Sequence, residues 1–189
     1  MNIIPLILDS STNKDITYDI YSLLLTKRII FLTGEINDIC ASNIISQLLY
    51  LDSNKTEDIY IYINSPGGSV TAGLAIYDTF NYVKSNVITI GMGICASMGA
   101  FLLSSGNQRY ALPNCEIMIH EPLGGASGQA SDIKIASDQI VKIKKKLNAI
   151  LAKNTNKKIV EIENDTQKDK YMTAQEARKY GIIDDIIKK

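Results

Sequence analysis

Asp58-Ile-Tyr-Ile-Tyr-Ile63, followed by Asn64-Ser-Pro-Gly-Gly68 and an apolar run from Ser69 to Val83, is the stretch that decides the fold class. Its first part has the alternation of a strand, its middle the residues of a sharp turn, and its end the periodicity of a helix. Val87-Ile-Thr-Ile-Gly91 comes next and reads as a second strand, which completes a βαβ unit. Upstream, the strand-like Ile29-Ile-Phe-Leu-Thr33 and a helical stretch from Asp38 to Leu51 repeat the pattern. Downstream come a helix from Ser97, a strand ending at His120, a Gly-rich loop and a long helix over about Gln129 to Lys153. A short last helix opens on the capping box of Thr173 and Glu176. The expectation is an α/β chain of repeated βαβ units. Its 189 residues suit one domain that buries roughly 70% of the unfolded surface in one core.

Composition excludes several function classes. Twenty basic residues balance twenty acidic ones, so no global field draws in nucleic acid or an anionic membrane. Lys142 and Lys144 to Lys146 read as the solvated face of a helix. Three cysteines, Cys40, Cys95 and Cys115, are odd in number and form no C-x-x-C pair, which points to a reducing, cytoplasmic setting. Met1 to Leu8 is apolar but lacks a basic start and a small-residue cleavage site, so no leader is expected.

Within the long helix, Ile133, Ala136, Ile140, Ile143, Leu147 and Ile150 follow at steps of three and four, a seam with a period of about 3.5 residues. About 25 residues of helix span roughly 37 Å, more than a domain of this size usually buries along one helix. A partner subunit is expected to cover the excess; an amphipathic helix packed within its own monomer is the alternative.

The chain has one histidine, so an imidazole base for acyl transfer here has to be His120. Gly91-Met-Gly-Ile-Cys-Ala-Ser97-Met-Gly-Ala-Phe101 supplies a serine where an apolar strand breaks into small residues and turns helical. A serine needs a base for its proton and donors for the oxyanion. The first turn of a helix leaves backbone N–H groups free, which makes the Met98 amide a natural donor. Gly68, in a glycine turn between strand and helix, can supply a second. Half of the G-x-S-x-G elbow is present, since Cys95 stands two residues before Ser97. A buried packing serine and an ordinary strand-to-helix turn are the plainer alternatives, and the 64–68 loop lacks the lysine of a P-loop. Cys95 is a rival nucleophile. Asp165 and Asp169 are both candidates to orient the base, and spacing does not choose between them.

Taken together, these segments resemble the proteolytic subunit family of the caseinolytic protease, ClpP, over nearly the whole chain. The matching blocks run in order: Asp19-Ile-Tyr-Ser-Leu-Leu, Arg28-Ile-Ile-Phe-Leu-Thr-Gly34, Ile59 to Gly68, Thr71-Ala-Gly-Leu-Ala-Ile-Tyr-Asp78, Ala96-Ser-Met-Gly-Ala-Phe-Leu-Leu103 and Met118-Ile-His-Glu-Pro-Leu-Gly-Gly125. The resemblance implies a crotonase-like α/β spiral whose long helix, with the region of about 124–153, projects as a handle between two stacked seven-membered rings. It implies Ser97 as nucleophile, His120 as base and Asp169, rather than Asp165, as the orienting carboxylate. Gly68 and Met98 become the oxyanion hole, and Gly124 and Gly125 lie on a strand that holds extended peptide. Tyr60, Tyr62 and Tyr82 correspond to apolar docking pockets for a hexameric ATPase unfoldase; tyrosines on one face of a strand are the plain alternative. No metal or other cofactor is implied for hydrolysis.

Departures from the family pattern set further expectations. The segment from Ser97 to His120 is slightly short, with Gly106-Asn-Gln-Arg-Tyr110 in place of a longer basic loop, so a trimmed hairpin is expected there. Glu121 replaces the usual glutamine beside the base. Gln167 and Lys168 replace an acidic residue and an arginine used between rings, and lysine does not reproduce an arginine fork. Asp9 to Asp15, within an axial segment of residues 1–18, lacks the family's Gly-Glu-Arg element. The reading is a self-compartmentalising serine endopeptidase acting on unfolded polypeptides. Its alternatives are a silent or partner-dependent subunit of a mixed ring with a second paralogue, and a crotonase-type acyl-CoA enzyme.

Overall fold

The structure is a computed structural model that describes residues 4–9 and 16–188. In chain order it begins with β1 (Leu6–Asp9), β2 (Ile16–Asp19), α1 (Ile20–Thr26), β3 (Ile29–Thr33), α2 (Asp38–Asn54), β4 (Ile59–Ser65), α3 (Val70–Tyr82) and β5 (Val87–Ala96). It continues with α4 (Met98–Leu103), β6 (Gln108–Ala111), β7 (Glu116–Ile119), α5 (Ala130–Thr155), α6 (Ile159–Asp165), β8 (Lys170–Thr173), α7 (Ala174–Tyr180) and β9 (Asp185–Ile186). Residues 10–15 of the proposed axial segment lie outside the described residues.

The expected α/β architecture is present. Strands β3, β4, β5, β6 and β9 form a parallel array in that order. On β4 the residues alternate: Ile59, Ile61 and Ile63 are fully buried, while Tyr60 and Tyr62 face the other way. The buried face meets α2 through Ile44 and Leu48 and α3 through Ile76. Each such side chain contributes about 1.5–3 kcal/mol by leaving water. The first half of β5 is buried throughout, as suits a central parallel strand.

β5 forks the sheet. Residues Ile88–Gly91 pair with β6, and Ile94–Ala96 pair with β7, also in parallel. The expected hairpin between Ser97 and His120 is therefore absent: β6 and β7 run the same way and pair with different halves of β5. The short link between them is pinned by the Leu112 N–H on Gly91 O (2.8 Å) and moves the chain along β5 without reversing it. β7 finds its antiparallel partner in β8.

The 3.5-residue seam is half realised. Along it Leu147 is buried and Ile143 and Ile150 are partly buried against the core, whereas Ile133 is exposed; off the seam, Leu151 is buried and Ile135 and Val141 are exposed, Ile135 at 68%. The N-terminal half of α5 thus projects from the sheet. The strand expected at Gly124 and Gly125 does not form: residues 120–127 carry no regular secondary structure and pair with no strand among the described residues.

Candidate active site

β5 delivers Ser97 to the top of the sheet. Its residues run extended to Ala96, and α4 begins at Met98, so Ser97 takes the whole change of direction at φ 54, ψ −121. For a residue with a Cβ such a backbone costs about 1–3 kcal/mol and needs neighbours that enforce it. The Ser97 N–H is tied to Met118 O at 2.8 Å, and Gly67 presses on the other side. A Cβ at position 67 would stand 2.7 Å from Ser97 Cβ and 2.8 Å from Ala96 O, so the loop approaches this closely only as glycine. Ser97 makes no side-chain cap to its own helix, which leaves Oγ free to turn toward His120 Nε2 at 2.9 Å.

The base and its partner are aligned by the antiparallel ladder. β7 and β8 pair Ile119 with Lys170, and one further step of that register sets His120 across from Asp169. His120 Nδ1 lies 3.1 Å from Asp169 Oδ1. A carboxylate only accepts, so Nδ1 carries the proton and Nε2 keeps a lone pair for the Ser97 hydroxyl. Asp165 is elsewhere: it accepts from Tyr180 OH at 2.7 Å and pairs with Lys170 Nζ at 2.7 Å. Burial pushes its carboxyl up, but the contacts from Lys170 and Tyr180 outweigh that and hold it below the ordinary 3.8.

These placements separate the two aspartates experimentally. Asp169→Asn is expected to lower kcat by about 10⁴-fold with little change in stability, because the amide favours the wrong imidazole tautomer. Asp165→Asn is expected to keep kcat within a few-fold and to lower unfolding free energy at pH 7 by about 1–2 kcal/mol. A group with a depressed folded pKa stabilises above its unfolded pKa, and the contribution is lost as pH falls through the folded value. The Asp165→Asn deficit should therefore shrink below about pH 4 in denaturant titrations.

Two backbone amides near Ser97 have no hydrogen-bond partner among the described residues, those of Gly68 and Met98. The Gly67-Gly68 turn brings them close, since a Cβ on Gly67 would be 3.0 Å from Met98 N. Ile36 N–H bonds Gly67 O at 2.8 Å and Ser69 N–H bonds Ile36 O at 2.7 Å, which fixes this turn against the loop after β3. A serine, an imidazole held by a carboxylate, and free amides form a set suited to acyl transfer. The family model for Clp protease matches residues 12–189.

The chain belongs to the Clp protease family. Clp proteases are peptidases. Beside Ser97 lies a small cavity of about 30 Å³, walled by Val70, Met98, Phe101 and Leu151. Asn148 and Thr166 also line it; neither was singled out from sequence, where Asn148 reads as one polar residue of a helix. Cys95, the rival nucleophile, is fully buried and donates its thiol to Ile63 O at 3.2 Å. Its contact with Cys115 and its burial push its pKa far up, which disfavours a thiolate. All three cysteines are free.

The other expected positions spread around this centre. Gly124 packs on Ile140 of α5, and Gly125 is open on its Cβ side. Glu121 pairs with Lys144 of α5. Tyr82 is 78% exposed at the end of α3, and Tyr60 is partly exposed. Tyr62 stacks on Phe31 at 5.6 Å, and Phe31 meets Tyr21 edge-on at 5.9 Å. These aromatics make an apolar strip on the sheet face opposite α2 and α3. Among the described residues no helix is long and apolar enough to cross a membrane.

Proposed function

We propose that this Clp protease family member is a self-compartmentalising serine endopeptidase that hydrolyses unfolded polypeptides. The observation that carries the reading is the continuous chain Ser97 Oγ, His120, Asp169, at 2.9 and 3.1 Å. Ser97 Oγ attacks the peptide carbonyl while its proton passes to His120 Nε2, and the Asp169 carboxylate faces the imidazolium that forms. The Gly68 and Met98 amides donate to the oxyanion. His120 then returns its proton to the leaving amine as the C–N bond breaks. Water, activated by the same nitrogen, releases the acyl group from Ser97. Every step uses the chain's own groups, so the reading includes no metal and no other cofactor.

The 120–127 segment, with Gly124 and Gly125, is suited to bind substrate by strand addition, since its backbone groups are not committed to a sheet. The uncovered half of α5 is suited to pack against other copies, as two stacked heptameric rings would require. The strip at Tyr60 and Tyr62, with Tyr82, is suited to receive a hexameric Clp ATPase. A cytoplasmic setting fits the three free thiols.

The test is degradation of casein and of a folded, tagged protein, with and without a Clp ATPase. Casein should be cleaved by the chain alone, slowly, and the folded protein only with the ATPase and ATP. Ready cleavage of the folded protein by the chain alone would contradict the proposal. A second reading, a subunit that is silent until a partner ring completes it, is favoured by the exposure of Asp169. Its side chain is 55% accessible, in the same turn as the exposed Gln167 and Lys168. That reading expects hydrolysis only after a second ring-forming chain is added.

A further inference from the structure

Cys95 and Cys115 are two thiols that hydrolysis does not use. Both are free and buried, at 0% and 2% exposure, and their sulfurs lie 3.9 Å apart. They meet where β5 forks: Gly91 ends the pairing with β6, and Ile94 begins the pairing with β7. Glycine at 91 leaves them that space, since an added Cβ would stand 3.0 Å from Cys115 Sγ and 3.2 Å from Cys95 Sγ. Cys95 stands two residues before Ser97 at the end of β5, and Cys115 leads into β7, five residues before His120. The two strands that carry nucleophile and base therefore also carry this pair.

The sulfurs differ in access. Cys115 borders an open cleft of about 630 Å³, walled by Pro113, Glu116 and Tyr171, whereas Cys95 faces inward and donates its thiol to Ile63 O at 3.2 Å. The contact with Cys95 holds the Cys115 thiol below its ordinary 9.0, against burial and the Glu116 carboxylate. A cleft-side thiol that ionises readily, beside a second thiol, is the arrangement in which an oxidised sulfur is resolved as a disulfide. That bond has to run diagonally, because Cys95 registers with Ile117, two residues past Cys115. Cys115 sits in a tied turn: its N–H bonds Leu112 O at 3.0 Å, and Leu112 N–H bonds Gly91 O at 2.8 Å. Closing the sulfurs from 3.9 Å to about 2.05 Å therefore draws on the strands, sliding the start of β7 forward along β5.

Resting on the peptidase reading, we infer that Cys95 and Cys115 form a reversible oxidation site that reacts with a hydroperoxide and switches hydrolysis off. With hydrogen peroxide, the Cys115 thiolate attacks one oxygen and the O–O bond breaks. The sulfur becomes a sulfenic acid, and the departing hydroxide takes up the proton that Cys115 released. Cys95 Sγ then attacks Cys115 Sγ, the S–O bond breaks, and the Cys95 proton leaves with the hydroxide as water. Two thiols and one peroxide give one disulfide and two waters. The slide of β7 strains the Ser97 N–H bond to Met118 O and carries His120 Nε2 away from Ser97 Oγ, which it meets at 2.9 Å. A displacement of about 1 Å at reacting groups costs roughly 10²-fold in rate. A dithiol reductant reverses the change.

The experiment exposes the full-length chain to hydrogen peroxide and then removes it. Intact mass should fall by the two hydrogens of a disulfide, and peptide mapping should join Cys95 to Cys115. Turnover of a fluorogenic peptide should drop about 10²-fold and return with dithiothreitol, which does not reverse methionine oxidation. His120 is the one histidine, so its imidazole NMR signals report the site alone; they should shift on oxidation and return on reduction. Cys115→Ser, or Cys95→Ala where the first variant does not fold, should start at ordinary turnover and keep it through the same treatment. Absence of the joined pair would overturn the inference, as would a joined pair with turnover unchanged, or an equal loss in the cysteine variants. A reduced chain that cleaves no peptide removes the peptidase reading instead. The joined pair and the shifted imidazole would then still support the oxidation site, and their absence would overturn it.

Discussion

Ser97→Ala is expected to abolish peptide hydrolysis, lowering kcat by about 10⁶-fold, to the residue of catalysis that binding and the oxyanion donors provide alone. The size follows from how the three side chains act. His120 has no proton to take once Oγ is gone, and Asp169 has no charge to face, so removing the nucleophile removes the function of all three. The fold should not change. Alanine carries the same Cβ as serine at φ 54, the 2.8 Å bond from the residue 97 N–H to Met118 O is made by backbone, and no cap bond from Oγ is lost. A thermal midpoint within a few degrees of the unsubstituted chain, together with lost turnover of a fluorogenic peptide, is the expected pair of results. Retained turnover would move the nucleophile elsewhere, and the buried Cys95 offers no ready substitute.

Gly68→Ala is expected to cost both activity and stability. At φ 148 the new Cβ would lie 2.2 Å from Ile36 O and 2.9 Å from Ile36 N, both backbone atoms. Ile36 is fully buried and bonded on each side to the 67–69 turn, so it cannot retreat without breaking those bonds. The turn has to move instead, and it carries the residue 68 amide away from Ser97. Loss of one oxyanion donor lowers kcat by about 10²–10³-fold. The strain is expected to lower unfolding free energy by about 1–3 kcal/mol. Gly125→Ala is the control: nothing lies within 4 Å of its added Cβ, and a change within about 0.5 kcal/mol is expected. Equal effects of the two substitutions on unfolding free energy would contradict the strain assigned to the turn at Gly68.

The central βαβ unit was legible because its signals are local. Ile59 to Ile63 alternates, the Asn64 to Gly68 turn follows, and α3 begins at Val70, one residue inside the expected start, with Ser69 as its N-cap. The capping box at Thr173 was legible for the same reason. What the sequence hid was pairing at a distance. Gln108–Ala111 and Lys170–Thr173 are four-residue strands rich in polar side chains, and nothing local marks them as β6 and β8. Their partners are far along the chain, so the hairpin expectation failed where β5 forks.

The same cause left Asp165 and Asp169 undecided by spacing. The choice depends on the β7 to β8 register, which is not written in the residues between them; only the family resemblance picked Asp169. Asn148 was missed although a signal existed. With Leu151 and Thr155 it follows steps of three and four along the buried end of α5, one position beside the seam through Leu147 and Ile150, and a polar residue at such a position is a candidate for a task. The exposed half of α5 shows the converse: the apolar pattern was plain, but a single chain has nothing to lay against it.

The most direct test of the central claim is intact-mass measurement of the purified chain after exposure to a fluorophosphonate. The account predicts one adduct per chain, located on Ser97 by peptide mapping and absent from Ser97→Ala and from chain unfolded before exposure. An adduct on another residue, or none on a chain that cleaves peptide, would contradict it.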